Sequence, residues 1–144
     1  MITSGNNHDA CVQFRPASHV ACMCMQVVTQ PDALLSVPQQ LADLGALKLT
    51  FVGGEPLLHP QIVDLVAAAK AAGLTTCMVT NASLLDEQLM QQLQGSLDWM
   101  TFSIDASSDA LHARMGRGLA RDVARGAIRR GTVSAADCCM FVAS

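Results

Sequence analysis

The stretch LTFVGGEPLLHP, residues 49–60, joins a short apolar run to two glycines, a carboxylate and a proline. Residues 48–52, KLTFV, read as a buried strand. Gly53 and Gly54 allow the backbone to leave that strand through left-handed or extended turns and to approach a ligand closely. A run of backbone N–H and C=O groups in such a turn can hold a charged small molecule. Pro56 fixes the exit, and Glu55, one of only two glutamates, stands beside the bend. By itself the quartet is equally an ordinary strand-to-loop turn with a solvated acid.

The flanking sequence supplies the context. Residues 33–47 read as helix after Pro38, with Leu41 and Leu44 spaced i, i+3 and Gly45 as the stop. Residues 60–73 give the clearest helix: Pro60 suits a first turn, Ile62, Val63, Val66 and Ala69 form an apolar stripe, and Gly73 ends it. Strands follow at 74–80 and 99–105, with a helix at 86–95 between them opened by two acids. Residues 19–28 form a first strand or a ligand loop, residues 109–115 and 119–130 read as helical, and the tail holds one last strand. Strands alternating with helices predict βαβ units and a parallel sheet of the α/β class with outer helices. Ligands then gather at the C-terminal ends of the strands.

Composition narrows the function. The chain has 144 residues, enough for one domain, and half of it is apolar. Four Phe, one Trp and no Tyr argue against a base-stacking platform, and a net charge of −3 argues against a broad phosphate-binding face, so no nucleic acid partner is expected. No apolar run reaches the roughly 18–20 residues of a membrane span. The N-terminus lacks the pattern of a secretory signal, which gives a cytoplasmic location by default. Six cysteines without an export signal point to thiols or metal ligands.

Three predicted strands end in polar loops at one edge: Gly53–Pro56, then Thr80, Asn81 and Ser83, then Ser103, Asp105, Ser107 and Ser108. Together these segments resemble the radical S-adenosylmethionine superfamily, whose Gly-Gly-Glu-Pro motif matches residues 53–56. VTNASLL, followed by LDWMTFSIDASSDALHARMGRG, is similar to the viperin-like branch of that superfamily, over about residues 41–118. The resemblance implies a partial (β/α) barrel, truncated because the chain stops about 26 residues after Gly-Arg-Gly. It implies that Gly53, Gly54, Glu55 and Pro56 receive the amino group of S-adenosylmethionine. Ser103 and Arg117 would hold its carboxylate and nearby polar atoms, and Asn81 and Ser83 would lie near the ribose and substrate. The implied activity is conversion of a nucleoside triphosphate to its 3′-deoxy-3′,4′-didehydro form in antiviral defence. A 4Fe–4S cluster and an electron-donor protein would complete it.

That family holds its cluster with Cys-x3-Cys-x2-Cys, whereas here Cys11, Cys22 and Cys24 are separated by ten residues and then one. Cys22 and Cys24 share a face if the segment is extended, and Cys11 would join them through an ordered loop. Two alternatives stand beside the enzyme: a catalytically inactive remnant or interaction protein, and a zinc or thiol site using these cysteines with His8 or His19. Arg117, Arg121, Arg125 and Arg129, spaced by four, would line one helix face. The expected organisation is an irregular arm at 1–18, a core at 19–131 and a divergent tail at 132–144.

Overall fold

A computed structural model describes residues 11–24, 31–104, 114 and 138–142. Six strands form one sheet in chain order: β1 (Cys11–Arg15), β2 (Val20–Cys24), β3 (Lys48–Val52), β4 (Thr75–Thr80), β5 (Trp99–Ile104) and β6 (Cys138–Val142). β1 and β2 are antiparallel, and every later pairing is parallel. Helices α1 (Pro31–Leu35) and α2 (Val37–Asp43) lie between β2 and β3. Helix α3 (Ile62–Ala71) lies between β3 and β4, and α4 (Glu87–Leu93) between β4 and β5. Parallel strands added in sequence through right-handed crossovers keep their helices on one face, which curls the sheet into the wall of a partial barrel. The α/β expectation therefore holds, with an antiparallel edge strand added.

Residues 11–18 depart from the irregular arm expected at 1–18. They form β1 and a 3-10 turn over Pro16–Ser18. Val12 and Phe14 alternate with the exposed Gln13 and Arg15, and face Met23 and Ala21 across the hairpin. That period of two lets a short strand bury one side. Residues 1–10 lie outside the described residues. Leu44 also departs from expectation: the helix ends at Asp43, and Leu44, at its C-cap, is 55% exposed instead of packing beside Leu41.

The sheet has two unlike faces. Ala21, Met23, Leu49, Phe51, Thr76, Met78, Met100 and Phe102 are buried, and the apolar members pack in one core with Leu41, Ile62, Leu65, Val66 and Ala69 of the helices. Met23, Phe51, Met78 and Met100 are register partners in turn, so one apolar row crosses four strands. The alternate residues, Cys22, Cys24, Thr50, Val52, Val79, Thr101 and Ser103, are only half-buried. Cys77, within β4, is buried.

The opposite end of β4 is clamped. The Asp98 carboxylate accepts from Lys70 Nζ at 2.5 Å and from the Thr76 backbone N–H at 2.9 Å. The Thr76 hydroxyl donates to Ser96 O at 2.6 Å and accepts from Asp98 N–H at 3.0 Å. Burial pushes the Asp98 carboxyl up, but hydrogen bonds from Lys70 and Thr76 outweigh it and hold the group below its ordinary 3.8. Its contribution to stability is present above that value and fades as pH falls through the depressed one. Asp98→Ala is expected to cost about 2 kcal/mol by urea denaturation, because it orphans a partly buried N–H. Lys70→Ala is expected to cost under about 1 kcal/mol, because the ion pair faces water.

Candidate functional site at the C-terminal strand edge

β3 ends at Val52, and the next two residues both lie in the left-handed region, Gly53 at φ 83° and Gly54 at φ 54°. Gly53 is required for a second reason: a Cβ built there would fall 1.9 Å from Cys24 Sγ and 3.1 Å from Cys24 Cα. The thiol of β2 thus rests on the backbone of the glycine turn. Glu55 then returns to extended backbone and Pro56 opens a 3-10 turn over Pro56–Leu58.

Glu55 is turned inward, 7% exposed, and its carboxylate is engaged by its neighbours. Oε1 accepts from the Thr80 hydroxyl at 2.5 Å and from Leu57 N–H at 3.2 Å, and Oε2 accepts from Asn81 N–H at 2.8 Å. Thr80 Oγ1 accepts in turn from Ala82 N–H at 2.9 Å, and Asn81 Oδ1 accepts from Ser83 N–H at 2.8 Å. Ala82 sits buried at φ 60° inside this loop. A single carboxylate therefore fixes the tips of β3 and β4 relative to each other. At this bend Gly54 is exposed, while the Glu55 side chain is buried beneath the turn.

Asn81 and Ser83 are exposed just past the end of β4, and Ser103 is half-buried near the end of β5. The structure brings Cys24, Gly53, Gly54, Glu55, Pro56 and Asn81 together at one edge, with Ser103 on the face that carries Cys22 and Cys24. Arg117 and the rest of the arginine row, with Asp105, Ser107 and Ser108, lie outside the described residues. So does His8. His19 is a correction to the thiol-and-histidine alternative: its Nδ1 lies 2.8 Å from Gly45 O, before the start of β2 and away from Cys24. Among the described residues no group of three His, Cys, Asp or Glu side chains is set to hold a metal ion. Cys22 and Cys24 supply soft thiols on one face, and the hairpin sets Cys11 opposite Cys24 in register.

His59 is the C-cap of the 3-10 turn over Pro56–Leu58. It is buried behind the 3-10 turn, and its Nδ1 accepts from Gln61 N–H at 3.2 Å. Burial lowers its pKa from the ordinary 6.5, so it stands neutral beside the start of α3. Protonation would cost the ring its acceptor and place a charge in the core. Its contribution to stability is complete above about pH 6.5 and is lost as pH falls from there through the depressed value. Urea midpoints at pH 7.5 and 5.5 are expected to differ more for the natural chain than for His59→Gln. The sequence signal was its place between apolar Leu57–Leu58 and Pro60, next to a helix start.

Residues 25–130 match the model of the radical S-adenosylmethionine superfamily. The chain belongs to that superfamily. It is 45% identical over 86 residues, 60% of this chain and 30% of the relative, to the S-adenosylmethionine-dependent nucleotide dehydratase of Flammeovirga pacifica. It is also 49% identical over 67 residues, 45% of this chain and 20% of the relative, to the GTP 3',8-cyclase of Chlorobaculum tepidum. The chain thus spans less than a third of the length of these curated relatives. The crystal structure of BtrN in complex with AdoMet and 2-DOIA superposes with a TM-score of 0.56 at 17% identity, over 81% of this chain and 45% of that one. This likeness shows the fold, and with the superfamily match it gives the partial barrel of radical S-adenosylmethionine proteins. Among the described residues no helix is long and apolar enough to cross a membrane.

Proposed function

We propose that this radical S-adenosylmethionine domain binds S-adenosylmethionine at the C-terminal edge of β2–β5 and acts, in the manner of a nucleotide dehydratase, on a nucleoside triphosphate. The observation that carries the reading is the seat of Cys24 Sγ on Gly53, which joins a soft ligand to the glycine turn. In this reading the backbone of Gly53 and Gly54 receives the methionine amino group, with Glu55 and Pro56 holding the bend. Ser103 and Arg117 take the carboxylate, for which a guanidinium fork is the natural donor. Asn81 and Ser83 border the ribose and substrate. Cys24 and Cys22, with Cys11 as the third position, would hold a 4Fe–4S cluster. When bound and reduced by an electron donor, the cluster supplies the electron that cleaves the carbon–sulfur bond of S-adenosylmethionine. The protein's own contribution is to orient the cofactor and exclude water. A role in antiviral defence belongs to the same proposal and follows from the viperin-like segments.

A second reading is favoured by one feature. Cys22 and Cys24 lie within a regular strand, one residue apart, unlike a Cys-x3-Cys-x2-Cys loop. On that reading the domain binds S-adenosylmethionine without a cluster. Anaerobic reconstitution with iron and sulfide, followed by visible and spin-resonance spectra with and without S-adenosylmethionine, separates the two. A cluster signal perturbed by the cofactor supports the enzyme. Colourless protein that binds the cofactor calorimetrically supports the second reading, and colourless protein that binds none defeats both. Arg117→Ala is expected to weaken cofactor binding at least about tenfold, the equivalent of 1.4 kcal/mol. Arg121→Ala is expected to leave it within about twofold; equal losses would remove the special role of Arg117.

A further inference from the structure

The β1–β2 hairpin aligns two cysteines that the sequence separates widely. Cys11 and Cys24 are direct cross-strand partners, whereas Cys22 is paired with Gln13. Partners in an antiparallel ladder have Cα atoms about 4.5 Å apart at non-hydrogen-bonded positions and about 5.5 Å apart at hydrogen-bonded ones. Both spacings fall inside the roughly 4.4–6.8 Å that a disulfide spans.

The alignment is firmly specified. Val12, Ala21 and Met23 are buried while Gln13 and Arg15 are exposed, so a slip of one residue would turn the apolar set of β1 out of the core. The turn holds the same register, with His19 N–H donating to Pro16 O at 3.2 Å and the Ser18 hydroxyl donating to Arg15 O at 3.2 Å. Cys24 is a half-buried free thiol, open to a small reagent.

We infer that Cys11 and Cys24 form a reversible cross-strand disulfide that competes with metal for the Cys24 sulfur. The oxidant is a low-molecular-weight disulfide of the glutathione class. One protein thiolate attacks a sulfur of the reagent and expels one small thiolate, leaving a mixed disulfide. The second protein thiolate attacks the protein sulfur of that bond and expels the other small thiolate. Two cysteines are oxidised by two electrons in all, the reagent is reduced to two thiols, and the two thiol protons leave with them. The bridge stands on the register alone; its effect on metal loading rests on the cluster reading above. A bridged Cys24 has no thiolate to offer at the Gly53 turn.

The test uses the full chain equilibrated in glutathione buffers, alkylated and mapped by peptide mass spectrometry. The expected result is a Cys11–Cys24 link in oxidising buffer that is lost in reducing buffer. Cys22→Ser keeps the link, while Cys11→Ser and Cys24→Ser each abolish it with unchanged circular dichroism. A link through Cys22, or only glutathione adducts on Cys24, overturns the inference. Iron content after anaerobic reconstitution is expected to be at least fivefold lower for the bridged chain and to recover on reduction. Equal loading of both forms overturns the competition. A mapped bridge with no iron in either form upholds the link and overturns the cluster reading instead.

Discussion

Glu55→Ala is expected to lower the stability of the domain by about 3–5 kcal/mol in urea denaturation, because three donors lose one shared acceptor. The Thr80 hydroxyl and the Leu57 and Asn81 N–H groups all point at that carboxylate. For a domain whose stability is of order 5–15 kcal/mol, such a loss is a large fraction of the whole. Glu55→Gln separates charge from geometry. The amide oxygen can still serve Thr80 and Leu57, but its NH2 would then face the Asn81 N–H, donor against donor. A cost of about 2 kcal/mol is expected, with most of the fold kept. A loss below about 1 kcal/mol for Glu55→Ala would show that the acid does not brace the two loops.

Gly53→Ala carries the second large effect. The added methyl group meets Cys24 Sγ at 1.9 Å, and the residue would remain at φ 83°. Left-handed backbone costs a non-glycine residue about 1–2 kcal/mol, and overpacking adds about 1–3 kcal/mol. The expected total is about 3 kcal/mol, accompanied by loss of S-adenosylmethionine binding. Combining Gly53→Ala with Cys24→Ala removes the sulfur, but Cys24 Cα and Cβ remain 3.1 Å away. The double variant is therefore expected to recover at least about 1 kcal/mol relative to the sum of the single losses, with the backbone strain remaining. Strict additivity by denaturation would disprove the contact.

The features legible in the sequence were those with local signals. Residues 48–52 matched β3 to the residue, because an apolar run met two glycines. Asp86, read as one of two acids opening a helix, caps α4 by accepting from Leu89 N–H at 2.7 Å. The superfamily followed from motifs, which record loop chemistry. Three features escaped because they depend on distant parts of the chain. β1 was hidden by polar residues, although Val12 and Phe14 carried its alternation. The inward turn of Glu55 depends on Thr80 and Asn81, more than twenty residues away, so a glutamate beside a bend read equally as a solvated acid. The contact of Cys24 with Gly53 depends on strand pairing, which residue spacing does not encode.

The sheet order also bears on how the chain is made. Every parallel strand from β3 onward lies beside the strand that precedes it in the chain. Along the row Met23, Phe51, Met78 and Met100, each pairing closes a loop of about 22–28 residues. The order of emergence from the ribosome thus matches the spatial order of the strands, so each new strand has its neighbour already synthesised. Folding can advance during synthesis as a growing front, without waiting for a distant partner to appear.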